Sequence, residues 1–454
     1  MGVLSVAAQW PLPTLAGLSP CRIHVVEKGR GWPVPLVELR TLHQVRFVSD
    51  NAGLIAFDLP ELMGRETWFD VIADGYEVPK DGFGYRGVRL LPQPGKSLRV
   101  VVQQTSFARC MGRLTGGGLF GESQKLDLAR DWTESGILGC DSVHTAVHRG
   151  RLFWIWGDTT LPSYPLGIFN SSSATTRLGP LQSLMPPLRM TFDYFRDKNE
   201  RPRGVADVPG EGPAWITGYV SLPDQKGVPH LVATYMKTKQ SLRAYQWGLV
   251  VWDETTSKLV PLRVLWNESA QSPKAPPVPD GHALVWSDET GKRWVLFGDP
   301  FPALRCPATF EAWSDPATWQ VLKPQKTVRA AGDGAAITPH RGSIAWSPWR
   351  QRFVTIFVQR DGQPSPLGEI WFAEAGSPAG PWGPAVKVLS HEHYTFYNPM
   401  LHPEMTPAGS PVLFFEGTYS TSFSDASQPT PRYDYNQVLY RLDLDELGKL
   451  GIKN

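Results

Sequence analysis

Apolar and polar residues along the last two-thirds of the chain recur in one phrase. Within residues 139–159, GCDSVHTAVHRGRLFWIWGDT, Val143, Thr145 and Val147 alternate with His144, Ala146 and His148, the period of a strand whose two faces differ. Arg149-Gly150-Arg151 supplies a turn. Residues 152–156 are an unbroken apolar and aromatic run, as expected of a strand buried on both faces. Such a run returns at 231–235, 294–297, 353–357 and 412–415. A weaker strand precedes each, at 143–148, 214–220, 282–286, 343–347 and 398–402. A third follows, at 168–175, 248–253, 310–314, 368–374 and 437–443, with fourth strands at 260–264, 319–322 and 385–389. Four-stranded units repeating every ~60 residues predict a β-propeller. Five units fit between residues 136 and 450, whereas two stacked sandwiches predict no matching phrases.

Upstream the pattern changes. Residues 34–39, 45–48, 53–58, 67–72 and 98–103 are short β-rich runs separated by Asp, Gly and Pro turns, which predict a separate β-sandwich over 20–105. Residues 1–19 read as a lead-in without a basic n-region, 106–135 as a connector, and 136–454 as the propeller. The fold expected is thus all-β: a five-bladed propeller behind an N-terminal sandwich.

Composition agrees with many short strands. The 454 residues include 43 Gly, 42 Pro and 18 Trp, turn formers and strand formers respectively. A net charge of +2 gives no reason to expect nucleic acid as partner, and no apolar stretch approaches the ~20 residues of a membrane span. Cys21, Cys110, Cys140 and Cys306 are widely spaced without CxxC, so no zinc knuckle is expected and no disulfide is forced. The glycine run 114–119, LTGGGL, lacks the lysine and Ser/Thr of a phosphate loop. Compartment and oligomeric state stay open.

In a propeller the starts of the inner strands converge on a channel mouth. Those positions hold Asp141 and His144, Glu211 and Trp215, Asp280 and His282, Arg341 and Ser343, and Tyr397, Asn398 and His402. Glycosidic hydrolysis needs two carboxyl groups at a fixed separation, and Asp141, Glu211 and Asp280 supply candidates. The fifth unit carries a dense polar and aromatic set, His391, His393, Tyr394, Tyr397, Asn398 and His402, then Arg432, Tyr433, Asp434, Tyr435 and Asn436. Aromatic faces and hydroxyl-binding side chains of this kind suit a sugar. His391 and His393, spaced H-x-H on a strand, would share a face and could hold a metal, but no metal or other cofactor is expected. Tyr433-Asp434-Tyr435 also reads as the seam that closes the ring. Asp158 and Asp299 each follow Gly after a second strand; their repetition predicts a structural role in that turn.

The five units, the early Asp141 and the phrase AEAGSPAGPWGPAVKVL (373–389) resemble the five-bladed propeller glycosidases of the arabinanase, xylosidase and invertase type. DSVHTAVHRGRLFWIWGDT also resembles a propeller group that includes endo-D-arabinanases. The resemblance covers about 136–446 and implies hydrolysis of a furanoside or related bond in an oligo- or polysaccharide. By position it implies that Asp141 is the base or nucleophile and Asp280 the acid that tunes and orients. Those families place the general acid at the fourth blade's entrance. Here that place reads HRGSIAW and has no carboxylate, which leaves Glu211, Glu369 and Glu416. Glu416, in FFEGTY at the end of an apolar strand, would have its pKa raised by burial, or would be a buried acid paired with Arg432. A non-catalytic glycan- or protein-binding propeller is the alternative, and a polysaccharide lyase using Tyr394, Tyr397 or His393 a third. In the first region, WFDVIADGYE (68–77) resembles the transthyretin-like, carboxypeptidase-regulatory type of sandwich, implying a spacer or a carbohydrate-binding role.

Overall fold

The computed structural model describes residues 19–168, 170–180, 185–239, 243–269 and 274–448. All but the last residue of the expected lead-in lies outside them. Two four-stranded sheets come first. One orders Leu54–Phe57, Cys21–Glu27, Ser97–Gln104 and Tyr76–Glu77; the other orders Arg46–Val48, Glu38–Thr41, Thr67–Ile72 and Gly87–Leu90. Ile23, Val25, Leu39, Phe57, Phe69 and Val100 fill the space between them, so they form a sandwich.

Five further four-stranded sheets follow, and their innermost strands adjoin in sequence order. The inner strands are His144–His148, Ala214–Pro223, His282–Ser287, Pro339–Ser347 and Thr395–Leu401. Asn398 of blade 5 donates to Ser142 of blade 1 at 2.5 Å, which closes the ring. The five-bladed propeller expected from the repeat is therefore present.

The unbroken apolar second strands follow from this geometry. Within Arg151–Ile155, Trp154 faces a core shared with Phe414 of blade 5, while Phe153 and Ile155 face a core shared with Tyr235 and Trp252 of blade 2. Each second strand lies between two blades and buries both faces, so it carries no polar alternation.

Two details differ from the sequence reading. The third strand of blade 3 is Pro302–Pro307; Phe310–Ser314 is a short helix whose cap residue, Thr309, accepts from the amide of Ala312, as Thr does at a helix start. Within the expected connector, Ala108–Arg113 is the outermost strand of blade 5, paired antiparallel with Asn436–Asp443. This strand closes the ring. The Tyr433–Tyr435 segment belongs to the same seam: Asn436, next after it, donates to the carbonyl of Leu138 ahead of blade 1 at 3.1 Å. The free edge of the closing strand is covered by the sandwich: Asn51 bonds both the amide and the carbonyl of Arg113 at 2.9 Å. A Cβ on Gly112 would lie 2.7 Å from the Asn51 side chain, so only glycine admits that approach.

Tyr433 is a second tie. Its buried hydroxyl donates to the carbonyl of Ser49 at 2.8 Å and accepts from the amide of Leu36 at 3.1 Å. Tyr433→Phe is expected to lower stability by about 1–3 kcal/mol, since two buried backbone groups lose a partner; urea unfolding of the full chain reads this. The four cysteines are buried and unbridged. Among the described residues no helix is long and apolar enough to cross a membrane.

Candidate active site at the channel mouth

Asp141 follows the short strand Gly139–Cys140 and precedes the inner strand of blade 1. Its backbone is clamped to the turn after the second strand, with the amide of Gly157 donating to its carbonyl at 2.8 Å. A Cβ on Gly157 would sit 2.3 Å from Asp141 Oδ1. The glycine of WGDT is thus what lets the carboxyl group occupy this place. Tyr397, at the start of the blade 5 inner strand, donates its hydroxyl to Asp141 Oδ2 at 3.0 Å, and the Tyr435 hydroxyl lies near the same carboxyl. Burial pushes Asp141 up to about 7, the nearby charge of Asp158 adds to this, and the two tyrosines oppose it. Burial also raises Asp158, against a hydrogen bond of 2.9 Å from the Trp215 indole. Burial and the nearby charge of Asp158 thus both favour the protonated form of Asp141.

Blade 3 repeats the arrangement. Asp280 is exposed and accepts from Thr217 Oγ1 at 2.8 Å. Asp299, after the second strand, forms an ion pair with Arg341 and accepts from the amide of Gly342 at 2.7 Å. Burial holds Asp299 up at about 6 despite that guanidinium. Asp158 and Asp299 thus each bind the inner strand of the next blade, through Trp215 and through Arg341 with Gly342. This is the structural role their repetition suggested, although both carboxyl groups also border the mouth. Between the two pairs, the rings of His144 and His282 lie 4.6 Å apart. Burial lowers His144 to about 4 and His282 further, so both are neutral imidazoles at physiological pH. Phe423, 71% exposed, meets Tyr397 edge-on at 5.8 Å, adding an aromatic wall.

The mouth therefore gathers Asp141, Asp280, His144, Trp215, His282, Tyr397 and Asn398 from the sequence-predicted residues. Others lie elsewhere. Glu211 is exposed on the rim of blade 2 beside Lys239 and Tyr245. Glu369 is buried against Lys387. Glu416 and His402 are both fully buried and bond each other at 2.7 Å, so the partner of Glu416 is His402 and not Arg432. Arg432 pairs with Glu122 and lies across Gly118 and Gly121; the glycine run makes room for a side chain there. Asp434 accepts from the amide of Thr421, and Asn436 donates to the carbonyl of Leu138, both inside the fold. Tyr394 is buried and stacks on Tyr419 at 4.3 Å. His391 is buried between Phe396 and Tyr440, whereas His393 has a φ of +61° and is exposed. The positive φ breaks the strand alternation, so the H-x-H rings do not share a face. Among the described residues no group of three His, Cys, Asp or Glu is placed to hold a metal.

No known family profile matches the sequence, and no curated protein matches it. Among solved structures, the chain is similar in fold to an exo-1,5-α-L-arabinanase from a bovine ruminal metagenomic library (TM-score 0.39, 9% identity, 68% of this chain and 94% of that one). It is also similar to an α-L-arabinanase mutant of Cellvibrio cellulosa (0.38, 10%, 68% and 92%). A third is an N-acetylgalactosamine deacetylase from F. plautii, in complex with blood group B trisaccharide (0.39, 11%, 70% and 94%).

Proposed function

We propose that the channel mouth binds an oligo- or polysaccharide and hydrolyses its glycosidic bond, with Asp141 as the proton donor and Asp280 as the base. The observation that carries this is the Asp141 carboxyl group, bonded by Tyr397 and raised to about 7 by burial and the charge of Asp158. The resemblance read from the sequence implied that Asp141 is the base or nucleophile; its raised pKa suits the donor better. In the proposed step the Asp141 proton passes to the leaving-group oxygen as the C–O bond breaks. Water adds at the anomeric carbon and gives its proton to Asp280. Trp215 and Phe423 offer faces for sugar C–H surfaces, and the neutral imidazoles of His144 and His282 offer hydroxyl partners.

Release of reducing sugar from arabinan, galactan and xylan, and of aglycone from aryl furanosides and pyranosides, tests the reading. Tyr397→Phe adds a finer check. Loss of a hydrogen bond to the charged form raises the Asp141 pKa. A donor works only while protonated, so the alkaline limb of kcat/KM is expected to move to higher pH, with kcat reduced by about tenfold. An unmoved limb assigns the proton donor elsewhere.

A specific observation favours the second reading, a binding platform. Blade 4 presents Arg341 locked to Asp299 where the resembling hydrolases place an acid. Glycan binding without release of sugar or aglycone across the panel would select that reading.

A further inference from the structure

A second concave surface lies away from the mouth. It is a groove of about 1710 Å³ between the outer face of the second sandwich sheet and blades 4 and 5. Strand alternation sends Phe69 and Val71 into the sandwich core and Trp68, Asp70 and Ile72 outward. The Trp68 ring lies flat on the neighbouring strand: a Cβ on Gly87 would be 2.4 Å from Trp68 Cζ2. Its indole nitrogen donates to Asp70 Oδ1 at 3.0 Å, and Arg89 stands over the ring at 5.6 Å. Asp70 also faces Arg40 at 3.8 Å, and Arg46 grips Glu38 with two bonds of 2.8 and 2.6 Å. Beyond this row, Phe83 and Tyr85 are 91% and 61% exposed. Tyr394, His393 and Asp425 of blade 5 form the opposite wall.

We propose that this groove is a second carbohydrate site, which holds a neutral polysaccharide chain along Trp68, Tyr85 and Phe83. Charge decides against an anionic ligand. Every lysine and arginine lining the groove except Arg89 already has a carboxylate partner: Arg40 with Asp70, Arg46 with Glu38, Arg86 with Glu77 and Lys387 with Glu369. Asp74, Asp81 and Glu392 add further acidic groups. What remains is a set of fixed donors and acceptors beside aromatic faces, which suits vicinal hydroxyls and sugar C–H surfaces. The site borders the mouth across one loop. Within residues 421–430, Phe423 meets Tyr397 at the mouth while Asp425 pairs with His393 in the groove. A chain held in the groove thus lies beside the mouth, and linked sites raise each other's effective concentration. The ligand class rests on the carbohydrate reading of the mouth; the site itself does not.

Native electrophoresis of the full chain through gels cast with arabinan, galactan, xylan or mixed-linkage β-glucan tests the proposal, with chondroitin sulfate as the polyanion. Asp141→Asn serves as the background so that the probe is not consumed, and retardation reads the groove whether or not the mouth hydrolyses anything. Retardation is expected in at least one neutral gel, with affinity falling at least tenfold on adding Trp68→Ala and likewise on adding Tyr85→Ala, whose ring is exposed and leaves the core intact. Equal migration in all neutral gels overturns the proposal. So does retardation that survives both groove substitutions, or retention confined to chondroitin sulfate.

Discussion

Asp141→Asn is expected to slow hydrolysis of an unactivated oligosaccharide by about 10²–10⁴-fold, the range a positioned acid contributes. With an aryl glycoside, whose phenolate leaves without a proton, the same variant should lose far less. That contrast separates a proton donor from a base or nucleophile, whose loss slows both substrates alike. The substitution has a second signature in stability. The carboxyl pKa rises from an unfolded value near 4 to about 7 in the fold, so the folded chain binds more protons between those values. Stability then falls as pH rises through that window. Asparagine removes the penalty, and at pH 8 the variant should melt at a higher temperature than the natural chain, a gap that closes below pH 4. An inactive variant that is also less stable at pH 8 would contradict the environment described for Asp141.

His402→Ala is expected to have the largest effect on folding, about 3–5 kcal/mol. Glu416 is wholly buried, its Oε1 bonds only His402 Nε2, and its other oxygen has no hydrogen-bond partner. Removing the imidazole strands a carboxyl group in an apolar setting. Glu404 bonds the other ring nitrogen at 3.0 Å. Burial works against the imidazolium, but the two glutamates outweigh it and hold His402 up at about 9. The sign follows: the stabilisation is complete below about 6.5 and is lost as pH rises toward 9. Urea unfolding of the natural chain should therefore show a falling midpoint across that window, and Glu416→Gln should flatten it. A midpoint insensitive to pH in the natural chain, or an alanine variant as stable as it, would refute the buried ion pair.

The propeller was legible because strands buried on both faces leave a mark that sequence shows plainly, an aromatic run at a fixed period. The strand Ala108–Arg113 left no such mark. It completes the fifth blade from a place ahead of the first, and no periodicity predicts a partner at the other end of the chain. The 310–314 segment misled because FEAWS satisfies strand and helix alike at that length, and the Thr309 cap decided it. At the mouth, Asp141 and Asp280 were readable from their place before inner strands. His402 was drawn in by the same logic and Glu416 by the burial expected in its apolar strand; both are buried, but they face each other and the Trp154 ring between blades 1 and 5 rather than the channel. Tyr435 was read as part of a sugar-binding set and of a seam; its place beside Asp141 depends on how the chain returns after 421–430.

The closing strand imposes a timetable on synthesis. At about 5–20 residues per second, the ribosome needs tens of seconds to pass from Arg113 to Val438, its partner in the finished blade. During that interval the sandwich and the early blades can fold, while Ala108–Arg113 waits as an unpaired edge that another nascent chain could occupy. Its sequence, ARCMGR, carries a positive charge at Arg109 and at Arg113. In the finished protein Arg109 meets Glu27 of the sandwich and also Asp443 and Glu446 from the last part of the chain, so the charge that discourages a foreign strand gains its full set of partners only when the correct one arrives.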